Sequence, residues 1–200
     1  MNASPTIRRD GTGELLPVTD VLVDALFDGD LAPWLAADPG VRASIYPGYL
    51  GMLAEPLLEH GYADMIGSDA VALWTQVTDD LPPEPSDYEA RLREVCGPRV
   101  QRFADLDSAM VRNHPTDRPH AYLAFLAVTP HAQGQGLGSA LLAHANAHLD
   151  AIGMPAYLEA TGPRNRQLYL QHATPTTAIR SRSGSADRCC IRCGATRAPS

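Results

Sequence analysis

Apolar positions along the chain change period several times, and each change predicts an element. From Asp20 onward Val21, Leu22, Ala25, Leu26 and Phe27 recur at helical spacing, with Thr19 or Asp20 available as N-cap. A second helical stretch runs from about Val41 to Leu58, with an interruption expected at Pro47-Gly48. Tyr62–Gly67 and Ala70–Thr75 are short apolar runs separated by Ser68-Asp69, which predicts a β-hairpin. Asp79–Asp87 carries three Pro and four acids and is expected to be a loop. Tyr88–Met110 is helical in pattern, with a break at Gly97-Pro98. Ala121–Val128 is a continuous apolar run of strand length, as expected for a strand buried on both faces.

Beyond Val128 a loop leads into the clearest helix of the chain. Leu137, Leu141, Ala145, Leu149 and Ile152 form one stripe, and Gly153 is placed to end it. Ala156–Thr161 is the next strand and Arg164–His172 a short helix. Strand, glycine loop, helix, strand is a βαβ unit, so its two strands should run parallel, in a mixed sheet of α/β class. Residues 1–14 are expected to be a flexible lead-in and 15–172 the folded domain.

Charge divides the chain at its far end. There is no Lys, so all 16 basic residues are Arg, against 23 acids. Residues 173–200 hold five of those Arg and one acid, which leaves the first 172 residues at −11. A body this acidic is a poor match for nucleic acid or an anionic membrane. The cysteines are also uneven. Cys96 lies in the body, and Cys189, Cys190 and Cys193 crowd the end, unlike a secreted disulfide framework. Residues 1–20 have no apolar stretch of signal-peptide length, and the longest apolar run is too short to span a bilayer. A cytoplasmic protein is expected.

The sharpest chemical feature is Pro130-His131-Ala132-Gln133-Gly134-Gln135-Gly136-Leu137-Gly138, followed by Ser139 and the Leu141-Leu142 pair. Alternate glycines allow a tight turn, and the bare amides of a helix N-terminus suit a diphosphate. Without Lys a P-loop is excluded, and the even Gly spacing departs from the Rossmann fingerprint. His144 and His148 share the four-residue spacing of a metal pair but lack a third ligand, so no metal is expected.

This loop resembles the acetyl-CoA diphosphate loop of GNAT-type N-acetyltransferases. Within that superfamily, Ala70–Thr75, Gly97-Pro98-Arg99 and Leu158–Asn165 make the chain look most like the puromycin N-acetyltransferase-related bacterial group. The resemblance implies a mixed central sheet flanked by helices, acetyl-CoA as cosubstrate, and a small-molecule amine as acceptor. It assigns the cofactor to Leu126 and Val128 on the strand, to Gln133, Gly134, Gln135, Gly136, Leu137, Gly138 and Ser139 in the loop, and to Asn165. It makes Tyr169, in the motif Asn165-x-x-x-Tyr169, the general acid. Glu159 is left as the candidate base or amine-recognition group, with a purely structural hydrogen bond as the alternative. Puromycin itself is disfavoured as acceptor, because the front half diverges and Ala121 stands where the puromycin enzyme carries Trp.

The resemblance fails after His172, where such enzymes continue into two final strands. Residues 173–200 are Ser- and Arg-rich, with Ile179 and Ile191 as the only large apolar residues, so the C-terminal strand pair is expected to be missing. A one-base deletion after the His172 codon would account for this composition, and sequencing the gene tests it. An inactive acyl-CoA-binding remnant is then the alternative to an enzyme. A metal or redox module on Cys190 and Cys193 is the third possibility.

Overall fold

The computed structural model describes residues 5–10, 14–78, 81, 84–115, 118–172 and 189–193. Six strands form one sheet in the order β1 (Arg8–Asp10), β2 (Gly61–Ile66), β3 (Ala70–Val77), β4 (His120–Val128), β5 (Ala156–Ala160) and β6 (Cys189–Cys193). All neighbours are antiparallel except β4 and β5, which run parallel as the βαβ pattern predicts. The helices are α1 (Leu15–Leu26), α2 (Ala32–Leu35), α3 (Pro39–Glu59), α4 (Tyr88–Cys96), α5 (Val100–Asn113), α6 (Leu137–Ile152) and α7 (Pro163–His172). The sheet is thus mixed and flanked by helices, the α/β class expected.

Alternation along the strands divides the core. Ala63, Met65, Val71, Leu73 and Ala127 face the layer of α1, α3, α4 and α5, where Leu22, Tyr49, Leu50 and Phe103 are buried. Ala72, Trp74, Leu123 and Leu158 face the opposite way, onto Leu141, Ala145 and Leu149 of α6 and Tyr169 of α7. With a helical layer on each face, β3 is buried from Ala70 through Thr75, which is why its sequence reads as a near-continuous apolar run. Gly153 ends α6 in the left-handed conformation, as its position predicted.

Four expectations need correction. First, α1 begins at Leu15 rather than near Asp20, and neither Thr19 nor Asp20 caps it, since both lie inside the helix. Second, α3 is continuous through Pro47 and Pro56, and starts where the Asp38 carboxylate accepts the Val41 N–H at 2.8 Å. Each Pro removes one backbone donor, but Ile45, Tyr46, Tyr49, Leu50, Met52 and Leu58 bury a long face that holds the helix together.

Third, the lead-in contributes a strand. Arg9 pairs in register with Asp64, and its guanidinium meets the fully buried Asp64 carboxylate through two bonds of 2.8 and 3.0 Å. The same guanidinium lies over the Tyr62 ring, 3.9 Å from its centroid. Fourth, the C-terminal strand pair is not wholly missing. The backbone of β6 pairs antiparallel with all of β5, from Ala156↔Cys193 to Ala160↔Cys189. Ladder bonds need only backbone groups, so a segment poor in apolar residues can still complete an open edge. The remainder of the 173–200 tail lies outside the described residues.

Candidate active site

β4 shapes the site by parting from β5. The two strands pair only over Ala121–Leu123 with Ala156–Leu158. Next to this stretch the β3–β4 register shifts, with Trp74 opposite Leu123 and Leu73 opposite Phe125, so Ala124 is the extra residue of a bulge. From Ala124 to Val128 the strand continues along β3 with no strand partner among the described residues on its β5 side. Leu126 and Val128 lie on this one-sided stretch.

The glycine loop follows directly. A short 3-10 turn, Pro130–Ala132, leads into Gly134 and Gly136, whose φ values of 78° and 82° lie in the left-handed region that favours Gly. The Ala140 N–H bonds to the Gly136 carbonyl at 2.9 Å, closing the first turn of α6. The amides of Leu137, Gly138 and Ser139 precede that bond and have no place in the helix's own pattern. The loop is tied down from within. Gln133 donates to the Val128 carbonyl and Gln135 to the His131 carbonyl, each at 3.1 Å, while the Thr129 N–H meets the Asp69 carbonyl at 2.9 Å. Gly138 packs α6 against its surroundings: a Cβ there would lie 3.5 Å from Leu168 and 3.7 Å from Val128.

One cavity of about 700 Å3 joins these parts. Its wall includes Leu126, Val128, Gln133, Gly134 and Gly136–Ser139, together with Asn165, Tyr169 and Glu159. Of the residues expected at the site, only Gln135 is off this wall. Tyr169 is buried, and burial pushes its phenol up to about 12. Among the described residues the Tyr169 hydroxyl has no hydrogen-bond partner. Asn165, one turn earlier on α7, donates to the Thr161 hydroxyl at 3.2 Å.

Glu159 is held by two tyrosines from the same sheet face. Tyr122 donates to Oε2 and Tyr157 to Oε1, both at 2.9 Å. Burial raises the carboxyl pKa, and the two hydroxyls act the other way. Sequence reasoning missed both tyrosines. Tyr157 was legible, because two residues apart on a strand means the same face as Glu159. Tyr122 becomes a partner only through the register Tyr122↔Tyr157.

The part of the wall formed by α3, α4 and α5 was not anticipated. There Tyr46 and Tyr49 of α3, Tyr88 of α4, and Asp107 and Met110 of α5 line the wall. Leu81, Glu84 and Pro85, from the stretch read as an acidic loop, also contribute. The loop between α1 and α3 reaches the cavity at Asp28–Leu31, pinned by the buried Arg42. Its guanidinium donates to the carbonyls of Ala36 (2.9 Å) and Ala37 (3.1 Å) and to the Asp28 carboxylate (2.9 Å). His144 and His148 are exposed on the flank of α6. Among the described residues no cluster of three or more His, Cys, Asp or Glu is arranged to hold a metal ion. No helix there is long and apolar enough to cross a membrane.

The mixed sheet is thus opened between its parallel strands, with a glycine-rich helix start at the opening. Residues 99–172 match the family model described as Acetyltransferase (GNAT) family. Among solved structures, the chain is similar to a Corynebacterium glutamicum protein described as histone acetyltransferase HPA2 and related acetyltransferase. The two are 27% identical over 98% of this chain and 99% of the other, with a TM-score of 0.67. Arylalkylamine N-acetyltransferase 2 from Aedes aegypti shares the fold at 15% identity, over 83% of this chain and 81% of that one, with a TM-score of 0.54.

Proposed function

We propose that the protein transfers an acetyl group from acetyl-CoA to the primary amine of a small molecule. The observation that carries this reading is the single cavity on whose wall the amides of the α6 start, the one-sided end of β4, Tyr169 and Glu159 all lie. In the proposed arrangement the α6 amides receive the cofactor diphosphate, where helix-end N–H groups and the helix dipole favour negative charge. The pantetheine arm lies along Leu126–Val128 and pairs with backbone groups that β5 leaves unused. Asn165 and Tyr169, one turn apart on α7, face the thioester end.

The acceptor nitrogen attacks the thioester carbon, the C–S bond breaks, and the electron pair leaves on sulfur. Glu159 takes the proton that the amine sheds, and the buried Tyr169 phenol, still protonated at neutral pH, donates one to the departing thiolate. Tyr122 and Tyr157 fix the orientation of the Glu159 carboxylate. A cytoplasmic setting goes with this reading. Likeness to the puromycin N-acetyltransferase-related group rests on the Ala70–Thr75, Gly97–Arg99 and Leu158–Asn165 segments. Puromycin is therefore one acceptor to try, not the expected one.

The test is thiol release from acetyl-CoA by the purified full chain across a panel of primary amines, with mass spectrometry of the products. Calorimetric titration with acetyl-CoA accompanies it. Binding together with acetylated amine is the expected result. Binding without turnover on any amine would instead favour a non-catalytic acyl-CoA-binding remnant.

A further inference from the structure

The transfer step leaves unused a second carboxylate on the cavity wall. Asp107 of α5 accepts the Tyr49 hydroxyl at 2.6 Å on Oδ1 and the Tyr88 hydroxyl at 2.5 Å on Oδ2, so α3, α4 and α5 converge on one anion. Each carboxylate oxygen can accept a further bond. Burial raises the Asp107 pKa, and the two tyrosines oppose the rise. Among the described residues no cation pairs with Asp107 or with Glu159. Both are partly buried anions held by neutral donors alone, an arrangement that an incoming cation stabilises.

Charge on the cavity wall is polarised. Asp28, Asp30, Glu84, Asp107 and Glu159 line it, and the only basic residue among those lining it is Arg164, next to Asn165 on the α7 side. Asp28 is matched by Arg42, but Asp107 and Glu159 have no such match. The remaining wall is largely apolar and aromatic, with Tyr46, Leu50, Met110 and Phe125 among its residues.

The surroundings of the two anions meet at the end of α5. His114 follows Asp107 along the chain, just past the end of α5. The His114 ring packs edge-on against Tyr122 and Tyr157, at centroid distances of 4.6 and 4.9 Å, and those are the tyrosines that hold Glu159.

Resting on the acetyltransferase reading of this cavity, we infer that the acceptor is a dication with an apolar spacer, of the α,ω-diamine class. One ammonium is placed at Glu159, loses a first proton to solvent to become the nucleophile, and is acetylated as Glu159 takes the second, while the other stays an ammonium against Asp107, beside Tyr49 and Tyr88. Asp107 is then the residue that selects for the second charge.

The test compares kcat/KM for a ladder of α,ω-diaminoalkanes with n-alkylamines of matched length, on the full chain and on Asp107→Asn. The diamine is expected to lead by about tenfold or more once its length spans the two carboxylates, and the ratio should fall towards one in Asp107→Asn. A diamine-to-monoamine ratio near one in the parent chain, or one that Asp107→Asn leaves unchanged, overturns the inference. If Asp107→Asn does not fold, Tyr88→Phe takes its place. It frees one carboxylate oxygen for the ligand and should raise the ratio, so an unchanged or lower ratio counts against the inference. If no amine is acetylated, the enzyme reading fails, and calorimetric binding of diamine against matched monoamine decides this point separately. Tighter diamine binding that weakens in the variant supports it, and equal binding overturns it.

Discussion

Tyr169 and Glu159 line the same cavity, and the proposed mechanism gives them opposite proton transfers. Burial with no partner among the described residues keeps the Tyr169 phenol protonated. In the proposed mechanism, Tyr169→Phe removes that proton while keeping the ring that packs in the α6–α7 core. Turnover should fall by about a hundredfold or more, with little change in acetyl-CoA affinity measured by calorimetry. Loss of cofactor affinity in parallel with turnover would make Tyr169 a packing residue instead. Glu159 must be ionised to accept a proton, so activity should fall as pH drops through its pKa. Because burial raises that pKa, the acid limb of the kcat/KM profile should lie above the ordinary glutamate range. Glu159→Gln should lower kcat/KM and erase that limb, and a limb that persists would belong to another group. Tyr169 was singled out by the resemblance, through the motif Asn165-x-x-x-Tyr169, and both residues line the cavity. The tyrosines around Glu159 and Asp107 were not, because Tyr122, Tyr49 and Tyr88 meet their carboxylates only across strands and helices far apart in the chain.

At the scale of elements, short periodic signals carried most of the architecture. The β2–β3 hairpin, the break at Gly97–Arg99, β4, α6 and β5 all follow from runs in which apolar spacing matches the local period. Failures came where tertiary contacts override the local signal. Pro47 breaks a helix only if nothing else holds it, and α3 has a long buried face. Residues 5–10 read as polar lead-in, yet β1 forms because β2 offers an open edge and a buried anion. That anion makes β1 testable. Asp64 is fully buried and its carboxylate is bonded to Arg9, so Arg9→Ala leaves a buried charge unpaired. Unfolding in urea should show a loss of about 2–4 kcal/mol, lessened because Arg9 itself is partly exposed. A double variant with Asp64→Asn should recover much of that loss, whereas a β1 that contributes nothing to the fold would show none.

At the scale of the whole molecule, the cavity is a junction. The segment matching the family model, 99–172, supplies the glycine loop, β4, Glu159 and Tyr169, and the preceding helices supply the far wall with Tyr46, Tyr49 and Tyr88. Within the matched segment, α5 and β4 are tied near Glu159 by a buried histidine pair. His114, at the end of α5, meets His120, at the start of β4, with their Nε2 atoms 2.9 Å apart, and His120 Nδ1 lies 3.0 Å from the Arg118 carbonyl. One Nε2 must carry the proton and the other accept it, so the contact is a hydrogen bond only while at least one ring is neutral. Burial, and then His120, pull the His114 pKa down to about 4. In the unfolded chain His titrates near 6.5, so as pH falls from there towards 4 the unfolded state binds the extra proton and folding weakens. Asp107 and Glu159 have raised pKa values, so they bind protons more readily when folded and push the opposite way at their own titrations. The wild-type curve therefore mixes both signs, and the difference between wild type and a neutral variant isolates the histidine contribution. His114→Gln keeps a donor and an acceptor but cannot be protonated. Thermal midpoints measured from pH 7 to pH 4 should fall for the wild type relative to this variant, so that the gap between them narrows or reverses on acidification. A constant gap across that window would mean that His114 is not held neutral by the fold.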